Sequence, residues 1–233
     1  HRLIRRQRQM CIRDRAQVCV PTGNFGDILA GWYAMKMGAP ISRLLLATNE
    51  NDILARFFDT GEYSRGEVRQ TLAPAMDIQV ASNFERYLYY RVGEDPERLK
   101  ALMDQFQLTG AFQLELGDAE AVDPDLVADT GRRQDCLDTI RQFYVRHDYL
   151  LDPHTAVGVS VAKRHQLDHA PTLCLATAHP AKFPDAVRQA VGEDVAHHPE
   201  IDALMQRPTR CETLPGDEGA VRRYIEHAVE DGL

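Results

Sequence analysis

Two short apolar runs constrain this chain most. AQVCV (16–20) and ISRLLLAT (41–48) are too short for helices, and they lack the polar–apolar alternation of a half-wet strand. Runs of that kind belong to sheets covered on both faces. Between them, Ile28, Trp32 and Met35 recur at helical spacing across 27–37, with Gly38 as a C′ stop and Pro40 beyond it. A polar turn (48–52) leads into a second helical stretch, 53–59, closed by Gly61. Strand, helix, strand, helix in so short a span is a βαβα unit. It calls for a parallel sheet and a right-handed crossover.

Further along, residues 84–90, 96–106, 124–128 and 132–147 read as helices, and AFQLEL (111–116) reads as a strand. An Asp-Pro start opens a helix over 152–165, PTLCLAT (171–177) reads as a strand, and 184–191 is a helix closed by Gly192. Residues 193–216 predict a loop with one short helix, and 219–229 a terminal helix. The expected fold is α/β in three layers: a mostly parallel sheet with helices on both faces.

Residues 1–15 hold six arginines and one acid; without them 21 basic residues face 34 acidic ones, a net charge of −13 against −8 for all 233 residues. The arginine-rich stretch is read as foreign linker sequence, the alternative being an arm that contacts a polyanion. No apolar h-region follows it, so it is not a secretory signal. The acidic remainder has no electrostatic reason to bind nucleic acid. No stretch approaches the ~20 apolar residues of a membrane span. Five widely spaced cysteines (Cys11, Cys19, Cys136, Cys174, Cys211) without a CxxC are neither a disulfide framework nor a zinc site. Cys19 and Cys174 read as buried apolar residues, and a reducing cytoplasm is expected. No HExxH or paired Cys/His spacing occurs, so no metal is expected.

The sharpest motif is Pro21-Thr22-Gly23-Asn24-Phe25-Gly26-Asp27, set between a strand and a helix. Two glycines would let the backbone take positive φ and approach a ligand. The helix's first N–H groups are unpaired and share the dipole's positive end, which makes an anion cradle suited to phosphate. No GK[ST] or GxGxxG accompanies it, so neither a Walker A loop nor a dinucleotide fingerprint is present. Asp27 should turn away from any phosphate. A tight turn without a ligand is the bland alternative. Thr177 and His179, in LATAHPAKFP (175–184), stand at a strand's C-terminal end, where open α/β sheets place ligands. ATNEND (47–52) occupies an equivalent end, although Asn and Asp there also serve as turn formers. DPHTA (152–156) offers His154 as a base, a phosphate ligand or a structural group.

Taken together, PTGNFGD, ATNENDIL, RFF, TG, TLAPAMDI, ASNFER, DPHTAVG and LATAHPAKFP, in that order, resemble the C-terminal half of threonine synthases. The resemblance spans roughly 17–192. It implies a pyridoxal 5′-phosphate enzyme of the tryptophan-synthase-β fold type (fold type II), with 16–192 as a cofactor-phosphate-binding domain truncated at its N-terminal side. Residues 193–233 would extend that domain. Gly23, Asn24, Phe25, Gly26 and Asp27 match the family's phosphate loop, and Thr177 the residue at the pyridine nitrogen. A hydroxyl there leaves that nitrogen largely unprotonated. Asn49, Asn51, His154 and Lys182 match segments near the family's substrate. The implied reaction converts O-phosphohomoserine and water to threonine and phosphate.

One departure matters. The family's cofactor-linking lysine precedes the glycine loop, and none of Lys36, Lys100, Lys163 and Lys182 stands in its motif. The chain alone is therefore expected to have no catalytic residue and no activity, its partner being the missing N-terminal half. The alternatives are a synthase-like phospholyase that eliminates phosphate without adding water, and a non-catalytic phosphate- or cofactor-binding module.

Overall fold

The computed structural model describes residues 15–115, 122–167, 170–209 and 211–230. Apart from Arg15, the arginine-rich stretch lies outside them, as does Cys11. The main sheet has the order β5-β2-β1-β6, built from β1 (Ala16–Pro21), β2 (Ile41–Thr48), β5 (Leu126–Thr130) and β6 (Thr172–Cys174). All three pairings are parallel, with Val20 opposite Leu46, Leu45 opposite Val127 and Cys19 opposite Cys174.

Alternation along β1 and β2 creates the layers. Val20, Leu44 and Leu46 pack into one core with helices α1 (Gly26–Lys36), α2 (Ile53–Thr60), α3 (Phe84–Arg91) and α4 (Pro96–Thr109). Cys19, Leu45 and Ala47 point the other way, into a core with α5 (Arg133–His147), α6 (Pro153–Arg164) and α7 (Pro184–Val191). Runs that are apolar on both faces thus sit between two helical layers, as their sequence requires. The first core is rich in aromatic rings: Tyr63 stacks on Phe84, and Phe57 meets Phe84 edge-on at 4.7 Å.

Helix ends follow the punctuation. Asp95 caps α4 through the N–H groups of Glu97 and Arg98, and Gly61, Gly110 and Gly192 close helices in the left-handed region. Four expectations need correction. Residues 124–128 are not helical: Leu126–Thr130 pair with β2 as a strand. Of AFQLEL, whose last residue lies outside the described residues, the described part contributes only β4 (Ala111–Gln113), antiparallel to an unforeseen β3 (Glu62–Ser64) outside the main sheet. PTLCLAT shrinks to β6, and Cys174 is half-buried rather than buried. No helix among the described residues is long and apolar enough to cross a membrane.

The chain divides into a unit ending at His197 and a second running from His198. The second holds α8 (Pro199–Met205) and α9 (Glu218–Glu230), with Val221, Ile225 and Val229 exposed along α9.

Candidate functional site

The glycine turn leaves β1 where the sheet's C-terminal edge opens. The Thr22 N–H donates to Ala47 O (2.8 Å) and its hydroxyl to Val20 O (2.7 Å), so the turn starts from fixed backbone. Beyond Thr22, the N–H groups of Gly23, Asn24, Phe25, Gly26 and Asp27 donate to no acceptor among the described residues. Asn24, Gly26 and Asp27 are exposed, and Asp27 lies in the first turn of α1, where its charge suits the dipole. Unpaired amides at a helix N-terminus are what an anion needs.

The turn is made differently from its sequence reading. Neither of its glycines has positive φ; the left-handed residue is Phe25, at φ 64°. Phe25 is fully buried, stacked on Phe58 and edge-on to Phe84, and that packing holds a conformation a large side chain resists. Gly23 serves close approach instead: a Cβ there would lie 2.6 Å from the carbonyl oxygen of Ala75. At Gly26 a Cβ would meet only ordinary contact. Asn83 grips the turn from the other side, its backbone and side-chain N–H groups donating to Asn24 O (3.1 and 2.9 Å).

Asn49 and Asn51 stand beside this turn at the end of β2, both buried. Their amides are spent within the chain. Asn49 Nδ2 donates to Asp77 Oδ1 (2.6 Å) and Thr71 Oγ1 (2.8 Å), and Asn51 Nδ2 to Asp77 Oδ1 (3.1 Å) and Arg69 O (2.9 Å). Asn51 Oδ1 accepts from the Arg69 N–H (2.8 Å), and Thr71 donates to Asp77 from both backbone and hydroxyl. This network sets the course of 69–77 and delivers the 3-10 turn Pro74–Met76 against Gly23.

At the start of α6, Asp152 accepts from the N–H groups of His154 (2.9 Å) and Thr155 (3.2 Å), and Pro153 takes the first helical position. It also accepts from the Thr155 hydroxyl and meets His154 Nδ1 at 3.1 Å. Burial pushes the Asp152 carboxyl up, but hydrogen bonds from His154 and Thr155 outweigh it and hold it below its ordinary value. Burial, with the Asp152 charge next, pushes the neighbouring Cys136 thiol up to about 12, so that sulfur is inert. His154 Nε2 accepts from the Ala75 N–H (3.2 Å) and its ring lies 4.9 Å from that of Phe183. Both ring nitrogens are occupied. Thr177 is exposed, its N–H donating to Thr155 Oγ1 (3.2 Å).

The lysines fit no catalytic post. Lys36 pairs with Asp125, Lys100 with Asp104, and Lys163 lies over the Phe143 ring. Lys182 is exposed at the end of the 3-10 turn Pro180–Lys182.

The site draws residues from the ends of β1, β2 and β6 and from the head of α6. Chains of similar sequence and fold are known. The family model "Threonine synthase, C-terminal" matches residues 155–225. Threonine synthase of Corynebacterium glutamicum is 41% identical over 224 residues, covering 93% of this chain and 46% of the relative. The crystal structure of the pyridoxal-phosphate-bound threonine synthase from Brucella melitensis superposes with a TM-score of 0.82 at 41% identity, over 91% of this chain and 46% of that one. The yeast enzyme gives 0.82 at 36% identity, over 93% and 48%.

The chain is similar to threonine synthases over nearly its whole length. It spans about half the length of the threonine synthases it matches. The threonine synthase segment matched by the family model includes Thr177 and Lys182 and stops short of the glycine turn. Sequence reasoning passed over Asp77, Asp152 and Thr155 as shapers of the site. Asp77 lay inside the quoted TLAPAMDI segment, and Asp152 showed only as a helix start.

Proposed function

We propose that this chain carries the cofactor-phosphate side of a threonine synthase, which converts O-phosphohomoserine and water to threonine and phosphate with pyridoxal 5′-phosphate. The observation that carries the reading is the row of unpaired amides from Gly23 to Asp27 beside a carbonyl that admits only glycine at position 23. The residues present fit the cofactor. Those amides would hold its phosphate without a lysine beneath it, and Thr177 would face its ring nitrogen with a neutral hydroxyl. Bound there, pyridoxal phosphate supplies an electron sink for charge developing next to the substrate amine.

The chain's own contribution is binding and orientation. Phe25 and its aromatic neighbours fix the direction of the amides, and Asn49 and Asn51 hold 69–77 in place beside them. His154 carries the Ala75 segment, and Lys182 is the one cation of the substrate-side set. The groups that move protons between substrate carbons, the cofactor-linking lysine foremost, belong to the part of threonine synthases that this chain does not match. O-phosphohomoserine as substrate and the N-terminal half as partner follow from the same reading. Free thiols at Cys19, Cys136, Cys174 and Cys211 suit a reducing cytoplasm.

Calorimetric titration of the chain decides this. Pyridoxal 5′-phosphate should bind saturably, inorganic phosphate should compete with it, and pyridoxal lacking the phosphate should not bind. Equal affinity for pyridoxal with and without its phosphate would overturn the reading.

A further inference from the structure

We propose that Asp152 is a positioning residue that ties the loop facing the phosphate and the loop bearing Thr177 to a single carboxylate. Its consequence for binding rests on the cofactor reading above; the tether itself does not.

A helix cap needs one oxygen that accepts from the first free amides. Asp152, 2% exposed, does that with Oδ1 and then takes two side-chain bonds, from His154 and Thr155. Each of those side chains has a second partner on a different loop. His154 Nε2 accepts the Ala75 N–H, so its proton must sit on Nδ1, where it donates to Asp152. Thr155 Oγ1 donates to Asp152 Oδ2, which leaves its lone pairs for the Thr177 N–H.

Ala75 in turn sets its carbonyl against Gly23. One carboxylate therefore fixes, through His154 and Thr155, both the wall of the phosphate turn and the ledge of Thr177. Both links depend on acceptor capacity at Asp152. Asparagine would keep the Oδ1 that takes both capping amides and the imidazole N–H, but its amide nitrogen cannot accept from the threonine hydroxyl as Oδ2 does; alanine would remove both acceptors. Asparagine therefore frees the Thr155 arm alone, and alanine frees both arms.

Amide hydrogen exchange on the whole chain tests the tether. In Asp152→Asn, exchange at Thr177 should quicken by about tenfold, the effect of losing one hydrogen bond, and in Asp152→Ala exchange at Ala75 should quicken as well, while Leu45 in β2 follows global stability alone. Thr155→Val should release only Thr177, His154→Phe only Ala75, and Thr155→Ser should restore the Thr177 value. Should Asp152→Ala fail to fold, the two single-arm variants decide: release of neither amide, or of both by either variant, overturns the proposal.

Binding supplies the readout that a purely structural role would not move. The probes are 4-deoxypyridoxine 5′-phosphate, which has no aldehyde to react with lysines, and inorganic phosphate. Thr155→Val and Asp152→Asn should weaken the ring-bearing probe alone, and Asp152→Ala both probes. If the unaltered chain binds neither probe, the cofactor reading falls while the exchange data still decide the tether.

Discussion

At the scale of single residues, the glycine turn shows why a motif reveals its task before its means. PTGNFGD marks a place where backbone must meet a ligand closely, and the structure agrees through Gly23. The motif does not show which residue takes the left-handed conformation, because that depends on partners far along the chain. Phe25 can hold φ 64° only because Phe58, Phe84 and Tyr87 surround its ring. Asn49, Asn51 and His154 were visible as polar residues near the site. Their bonds to Asp77, Thr71 and Ala75 were not, since the 69–77 segment has no periodicity to place it. Gly23→Ala should therefore push the Pro74–Met76 turn away and cut phosphate affinity by about tenfold or more, read by calorimetry, with a stability loss of about 1–3 kcal/mol from overpacking. Asp152 gives a pH prediction. Its folded carboxyl titrates below the unfolded value, so its contribution to stability is present above about pH 4 and is lost as pH falls through the folded value. Asp152→Asn should be less stable near neutrality, yet lose less stability between about pH 5 and about pH 3 in thermal melts. A variant that tracks the unaltered chain across that range would refute the assignment.

At the scale of elements, α6 organises the sheet's site end. Ten of its residues, from Pro153 to Ala162, are buried, and it lies so close to β1 and β6 that a Cβ on Gly158 would sit 2.9 Å from both Pro21 Cγ and Cys174 Sγ. Gly131 meets the same helix, its Cβ position 2.7 Å from Ser160 Oγ. Gly158→Ala should cost about 1–3 kcal/mol through forced separation of helix and sheet. In chemical denaturation the midpoint should fall with an unchanged slope. A neutral effect would mean that the helix has room to move. Legibility followed the same logic. Elements with clear punctuation, such as α1, α2 and α6, were readable, because Gly38, Gly61 and Asp152 state where they stop or start. The strand β5 was not. LVADT is short and partly polar, and only pairing with Leu44–Thr48 of β2 makes it a strand. The antiparallel pair of β3 and β4 is set by the same kind of distant pairing.

For the whole molecule, the decisive feature is where the sheet stops among the described residues. β6 pairs with β1 on one side, and beyond its other side no strand follows. Leu173 and Leu175 are 57% and 38% exposed on it. On its other face a cavity of about 430 Å³ runs between Phe143, Tyr149, Val159, Thr172 and Cys174. An edge with free backbone groups and exposed leucines is a template for further pairing. Threonine synthases contain about as much chain again that has no counterpart here. The proposed function needs that remainder for its lysine, and β6 carries the loop with Thr177, so an occupied edge would bring the two toward one site. By itself the chain should self-associate through this edge. Leu173→Lys should shift it toward monomer in sedimentation velocity without moving its melting temperature by more than about 1–2 °C, since an exposed side chain contributes little to folding. Treatment with pyridoxal phosphate and borohydride should mark no single lysine. Adding the N-terminal half of the Corynebacterium glutamicum relative should create one marked lysine, on the added half, together with turnover of O-phosphohomoserine. Equal release of threonine and phosphate supports the synthase reading, and a keto acid in place of threonine supports the phospholyase. A specifically marked lysine on this chain, before any addition, would mean that the division of labour between the two halves has been drawn in the wrong place.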